Sequence, residues 1–214
     1  MCKNHGEAYG EEDYYNQLAQ ALAPFAPASS AAPVTVVVDC ANGVGAKAVA
    51  GFTAALRAQG GSWVELSAIN DGWMRPRGEG GSAGGALNHL CGAEHVQKSR
   101  QLPAGVGAGP AAHGVRYASF DGDADRVVLF YVRDDGGMEL LDGDRALALL
   151  SLFIARRLAA LRLGLSLGVV QTAYANGAST AFLSRELGAI PECRWDILHH
   201  TLYNRKPKPV AFNP

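Results

Sequence analysis

Residues Val34 to Val38 form a run of mostly β-branched apolar residues that leads directly into Asp39-Cys40-Ala41-Asn42-Gly43-Val44-Gly45. Such a run reads as a strand buried on both faces, and strands of that kind belong to parallel sheets. Asn42, Gly43 and Gly45 supply the freedom a sharp turn needs. Beyond the turn, Val49, Phe52, Ala55 and Leu56 recur at helical spacing over 46–58, and residues 62–69 alternate as a second strand. Strand, helix and strand in that order predict an α/β layer with the first strand parallel and central.

The rest of the chain follows the same idea. Tyr14, Tyr15, Leu18, Leu22 and Phe25 recur at spacings of three and four, which predicts an amphipathic helix over 12–25 closed by Pro24 and Pro27. Residues 70–86 and 99–114 are rich in Gly, Ala and Pro and read as loops, with a short helix between them over 88–98. Strands are expected at 115–120 and 127–132, the latter pairing back with 138–141 across the Asp134–Gly137 turn as a hairpin. From Asp144, apolar residues return at helical spacing: Leu147, Leu150, Phe153, Ile154, Leu158 and Leu161. A domain boundary is placed near Asp142. A strand at 167–170, a loop at 171–176 and a helix at 178–187 follow. Residues 204–214 are basic, Pro-rich and expected not to fold.

Composition narrows the function classes. The chain carries 19 Lys plus Arg against 20 Asp plus Glu, a net charge of −1, which gives no support to nucleic-acid binding or a polybasic membrane anchor. With 48% hydrophobic and 18% charged residues, wholesale disorder is excluded. The longest apolar stretch, 158–170, is broken by Arg162, Gly164 and Gly168, and residues 1–15 lack the apolar core of a signal peptide. A cytoplasmic chain is expected. Cys2, Cys40, Cys91 and Cys193 form no CxxC pair, so reduced, mostly buried thiols are expected rather than disulfides or structural zinc.

The sharpest chemical feature is Phe120-Asp121-Gly122-Asp123-Ala124-Asp125-Arg126, set between two apolar strands. Three carboxylates at alternate positions converge on one cation if the backbone curls, and Gly122 and Ala124 permit that. Without a cation they repel one another and their pKa values rise. A hard, oxygen-seeking ion such as magnesium removes that penalty, and Arg126 is suited to gripping a phosphate on the same ion. An EF-hand is excluded, because its positions six and twelve are Arg126 and Val132 here. An exposed acidic turn is the alternative. Asp125 stands where aspartyl-nucleophile phosphatases commonly carry Thr or Val. Among weaker features, Asp39, Asn42, Gly43 and Gly45 read as a structural turn capping a helix, since they lack the full phosphate-loop pattern. His89 with Cys91, and Lys98 with Arg100, read as local packing and a solvated basic face.

The same loop resembles the metal loop of the α-D-phosphohexomutase superfamily, and other segments are similar to its phosphoacetylglucosamine mutase family. These are Val38 to Ala46, Leu87-Asn88-His89-Leu90-Cys91-Gly92-Ala93, Leu141-Asp142-Gly143-Asp144 and the stretch from Val170 to Thr180. The resemblance runs from about Tyr14 to about Leu187. It implies mixed-sheet α/β domains with helices packed on the sheet: an N-terminal helix and linker (1–33), a second domain with the metal loop (34–141), part of a third (142–203) and a tail (204–214). It implies Mg2+ held by Asp121, Asp123 and Asp125, Arg126 as a catalytic residue beside a phosphoserine, and Asn176 and His199 as contacts to a phosphorylated amino sugar. The implied reaction interconverts N-acetylglucosamine 6-phosphate and 1-phosphate for UDP-N-acetylglucosamine synthesis.

The departures shape the expectation for this chain. The family's nucleophile lies in a Thr-Ala-Ser-His-Asn-Pro segment, and no such string occurs here. Ser29, Ser30, Ser82 and Ser119 stand in other contexts. Where the family reads close to Gly-Val-Lys-His-Leu-His-His in its sugar-reading loop, this chain has Arg194-Trp195-Asp196-Ile197-Leu198-His199-His200, with Asp196 at the lysine position. The chain is therefore expected to be an incomplete mutase without the serine-bearing first domain and the fourth, phosphate-binding domain, and inactive alone. The alternatives are a non-catalytic magnesium- or partner-binding fragment, another phosphohexomutase, or an unrelated magnesium-dependent phosphatase.

Overall fold

The structure is a computed structural model that describes residues 9–27, 32–72, 85–107, 115–162, 164–172, 175–191 and 194–200, the side chains of 198–200 excepted. The chain divides into two units, Met1–Leu140 and Leu141–Pro214.

In the first unit, β1 (Val34–Asp39) lies between β2 (Val64–Ile69) and β3 (Arg116–Phe120) and runs parallel to both. The hairpin of β4 (Val127–Val132) and β5 (Met138–Leu141) completes a sheet of order β2-β1-β3-β4-β5, with β4 antiparallel to β3. Helix α2 (Gly45–Ala58) provides the crossover from β1 to β2. Its Ala46 and Val49 bury against Val38, Cys40 and Ala118 on one face of the sheet. On the opposite face Tyr117, Val128, Phe130, Val132 and Leu140 form a second core with Ala93 and Val96. That core is closed by a single π-type turn at His95–Ser99, shorter than the helix expected over 88–98. Tyr117 and Phe130 pair across the β3–β4 ladder and stack with ring centroids 5.1 Å apart.

Helix α1 (Glu11–Leu22) carries Glu11, Glu12 and Asp13 in its first turn, where the helix dipole favours acidic groups. It lies on α2: Tyr15 sits against Gly51, where a Cβ would be only 2.5 Å from the ring, and Lys47 Nζ meets Glu11 Oε2 at 2.8 Å. Tyr14 does not share this packing; it is exposed and contacts only the edge of Tyr15 among the ring contacts described.

In the second unit, α3 (Gly143–Leu161) and α4 (Gly177–Gly188) accompany a parallel pair, β6 (Ser166–Thr172) and β7 (Arg194–His200). Two expectations are corrected here. The fully buried residues of α3 are Ala148, Ser151 and Ala155; of the expected stripe Leu147 packs partly buried on the core, while Leu150, Phe153, Ile154 and Leu161 stay exposed. A helix apolar on more than one side does not announce which side is covered, and the small side chains allow closer approach. Second, residues 194–200 form a strand rather than a loop, paired Leu167 to Trp195 and Val169 to Ile197. The tail at 204–214 lies outside the described residues. No helix among the described residues is long and apolar enough to cross a membrane.

Candidate metal centre

Three separated segments meet at the C-terminal ends of β1 and β3. The register pairs Asp39 with Ser119, so two polar residues 80 positions apart face the same side as neighbours. Asp39 is only 1% exposed. Its Oδ1 accepts from Ala41 N at 3.1 Å and Asn70 Nδ2 at 2.9 Å; its Oδ2 accepts from Gly92 N at 2.7 Å and Ser119 Oγ at 2.8 Å. Four neutral donors thus take the place of water around a buried carboxylate, which would otherwise be costly to bury. Asp39 thereby ties together β1, the end of β2, the 85–93 loop and β3.

The turn after β1 is built on the same scale. Ala41 and Asn42 are left-handed (φ 53° and 55°), and Asn42 Nδ2 donates to Ala86 O at 3.2 Å, drawing in the 85–93 loop. Val44 N donates to Gly122 O at 3.0 Å. A Cβ on Gly43 would stand 2.1 Å from that same oxygen, so only glycine fits. Gly122 in turn lies against Leu87 and Asn88, where a Cβ would be 2.9 Å from Leu87 Cδ1. The turn's side chains do not cap α2 as expected; its N-cap is Val44, with no side-chain bond.

Asp121 emerges from β3 buried, while Asp123 and Asp125 are exposed. Ala124 takes a left-handed φ of 58°, which curls the loop and returns Asp125 toward Asp121. One carboxylate oxygen from each of the three aspartates lies within 4.8 Å of the others. Arg126 closes the loop: its backbone N donates to Asp121 Oδ1 at 3.1 Å and its Nε to Asp121 Oδ2 at 2.7 Å. Its guanidinium is 55% exposed and also stands 3.7 Å from Asp125 Oδ1.

The electrostatics are those of a crowded acidic loop. A hydrogen bond with Asp121, then the charges of Asp121 and Asp123, push the Asp125 carboxyl above its ordinary value. Burial pushes Asp121 up, but hydrogen bonds from the Arg126 side chain and backbone outweigh it and hold Asp121 below the usual value. Cys40 and Cys91 are buried and free; burial and the neighbouring Asp39 raise their thiols to about 12 and about 11. Neither is a thiolate at neutral pH.

The sequence-predicted residues therefore divide. Asp121, Asp123, Asp125 and Arg126 come together. Asn176 and His199 belong to the second unit. Asn176 is the N-cap of α4: its Oδ1 accepts from Ala178 N at 2.9 Å, and its own N donates to Asp144 Oδ2 at 3.0 Å. His199 is in β7, paired in register with Gln171. Gln171 is buried and accepts from Thr180 Oγ1 at 2.8 Å, which locks α4 to β6. Ser119 is fully buried with its hydroxyl committed to Asp39, so it offers no nucleophile; Ser29, Ser30 and Ser82 lie outside the described residues. Sequence reasoning missed Asp39 and Ser119 as partners. The available signal was a carboxylate at the end of an apolar central strand, which must find donors if it is buried.

Comparison with known proteins gives one consistent answer. Residues 8–128 match the family description phosphoacetylglucosamine mutase AMG1, domain II, and residues 142–202 match domain III of the same family. The chain is 37% identical over 188 residues to the phosphoacetylglucosamine mutase of Homo sapiens and 40% identical over 195 residues to that of Arabidopsis thaliana. Each alignment covers 85% of this chain and 32% of the relative, so the chain spans about a third of the length of the curated relatives it matches. Among solved structures, Aspergillus fumigatus N-acetylphosphoglucosamine mutase in complex with GlcNAc-6P and magnesium aligns at 30% identity with a TM-score of 0.69, covering 94% of this chain and 38% of that one. On the matches to its second and third domains, the chain belongs to the phosphoacetylglucosamine mutase family.

Proposed function

We propose that this chain carries the metal-binding portion of a mutase that interconverts N-acetylglucosamine 6-phosphate and 1-phosphate, in the supply of UDP-N-acetylglucosamine. The observation that carries the reading is the Asp121–Arg126 loop, with three carboxylate oxygens within 4.8 Å of one another and a guanidinium beside them. Magnesium holds oxygen ligands at about 2.1 Å, which places pairs of them about 3–4 Å apart. The oxygens need only a small contraction to reach that geometry, and the hydrogen bond with Asp121 and the charges of Asp121 and Asp123, which raise the Asp125 carboxyl, are what a cation there would relieve. The residues fit the ion. Magnesium bound by Asp121, Asp123 and Asp125 would neutralise charge on a phosphoryl group in transfer.

The protein's own part is positioning. Asp121, anchored by Arg126 N and Nε, is the fixed ligand; Asp123 and Asp125 are the exposed pair that closes on the ion. Arg126 presents a planar donor fork to the phosphate oxygens, next to the place where a phosphoserine of the family segment would dock. Asn176 and His199, in the second unit, would contact a phosphorylated amino sugar. Support for this is their place at the C-terminal end of the parallel β6–β7 pair, where ligands of open α/β sheets bind.

The test is 31P NMR of N-acetylglucosamine 6-phosphate mixed with the full 214-residue chain, magnesium and a hexose bisphosphate primer. The expected result is magnesium-dependent broadening of the phosphate line, lost in Arg126→Ala, with no 1-phosphate formed. Formation of 1-phosphate would overturn the assignment of the nucleophile to a segment outside these residues. Release of inorganic phosphate would indicate a phosphatase, and an unbroadened line would remove the phosphosugar site.

A further inference from the structure

The aspartate loop is closed by its own bonds from Ala124 N, Arg126 N and Arg126 Nε to Asp121, and it is also held from outside. Its strained residue, Ala124, has a positive φ that costs energy for a side chain with a Cβ and persists only when the surroundings impose it. The outside constraints come from two places. Gly122, between the first two aspartates, is fixed through its carbonyl by Val44 N at 3.0 Å, with Gly43 packed against the same oxygen. Asp121 comes two residues after Ser119, just past the end of β3, and Ser119 Oγ donates to Asp39 Oδ2 at 2.8 Å, which also accepts from Gly92 N at 2.7 Å. A Cβ on Gly92 would be 3.1 Å from Phe120 O, so the 85–93 loop lies close beside the residue between Ser119 and Asp121.

We infer that Gly43, Asp39 and Ser119 are positioning residues of the metal loop, setting its affinity for a hard divalent cation although none of them is a ligand. The inference rests on the magnesium reading above. A methyl at Gly43 meets backbone, which cannot swing aside, so the 121–126 loop itself must move. Ser119→Ala removes one donor from Asp39 and frees the end of β3 to shift, while leaving three bonds to Asp39 in place. Asp39→Asn places an amide NH2 group where Gly92 N now donates if the acceptor oxygen is kept toward Ala41 and Asn70.

The experiment is magnesium titration calorimetry on the full chain, with urea unfolding of each protein measured without magnesium. The variants are Gly43→Ala, Ser119→Ala and Asp39→Asn. The control is Val132→Ala, a buried core truncation at the far end of β4. Magnesium affinity is expected to fall by about 10–100-fold in Gly43→Ala and Ser119→Ala, the range typical of groups that orient metal ligands. It should stay within about twofold in Val132→Ala even if that variant is the less stable. Ser119→Ala is the mildest change and decides the matter if the other two do not fold. Wild-type uptake with unchanged affinity in Gly43→Ala and Ser119→Ala overturns this inference alone, as does an equal loss in Val132→Ala. No uptake by the wild type overturns the magnesium reading and this inference with it.

Discussion

Asp121→Asn separates the metal role of the loop from its structural role. The substitution keeps an oxygen to accept from Arg126 N, now 3.1 Å away, and removes the charge of one of the three carboxylates proposed as ligands. Without magnesium, two effects oppose each other: the charge-assisted bond from Arg126 Nε is weakened, and the hydrogen bond and charge of Asp121 that raise the Asp125 carboxyl are lessened. With magnesium at about 100 times its dissociation constant, the wild type gains about 2.7 kcal/mol of stability from binding. Each kcal/mol moves the midpoint of a chain this size by about 2–4 °C, so the expected magnesium shift is about 5–10 °C. If loss of one anionic ligand weakens binding by about 100-fold, the same concentration stabilises Asp121→Asn by only about 0.4 kcal/mol, a shift of about 1 °C. The assay is thermal unfolding by circular dichroism with and without magnesium. An undiminished shift in the variant would refute the assignment of Asp121 as a ligand.

Other expectations follow from the same geometry. Magnesium uptake should be coupled to proton release and weaken on acidification through the raised Asp125 value, because the proton and the ion compete for that carboxylate; titration in two buffers of different ionisation enthalpy measures this, and uptake that does not weaken on acidification would contradict it. In the metal-free chain, Asp125, with its folded pKa raised, contributes stability at low pH that is lost as pH rises through that value. Asp121, with its pKa lowered, contributes stability above its unfolded value that is lost on acidification through the lowered one. Asp125→Asn should therefore flatten the first of these trends in a pH series of urea unfolding. Phe130→Ala, which empties a buried site stacked on Tyr117, should cost about 3–5 kcal/mol by urea unfolding. Cys40 and Cys91 should resist iodoacetamide in the folded chain and react in urea, read site by site by mass spectrometry, since both are buried and protonated.

How legible the molecule was depended on the range of the interactions. The apolar runs before Asp39 and over 127–132 mark β1 and β4, but that Val128, Phe130 and Val132 form the buried side of β4 is seen only in the structure, since Val127, Leu129 and Tyr131 are apolar too. The Asp121–Asp125 spacing marked a candidate cation site because three alternate carboxylates converge when the backbone curls, and the left-handed Ala124 supplies that curl. The Asp39–Ser119 contact could not be seen that way, since it depends on the parallel register of strands 80 residues apart. The buried face of α3 was misread because leucines and alanines both fit a core, and only packing decides between them. Strand β7 was misread because its residues 194–200 were interpreted by likeness to a loop, whereas their alternation is that of a strand paired with β6.

The most direct measurement is anomalous X-ray diffraction from crystals of the full chain soaked in manganese, which shares magnesium's octahedral oxygen preference. A single peak is expected within about 2.0–2.3 Å of one oxygen from each of Asp121, Asp123 and Asp125, with Asp121 still bonded to Arg126. Diffraction that shows the three carboxylates splayed apart with no peak among them, or the ion held elsewhere, would contradict the account.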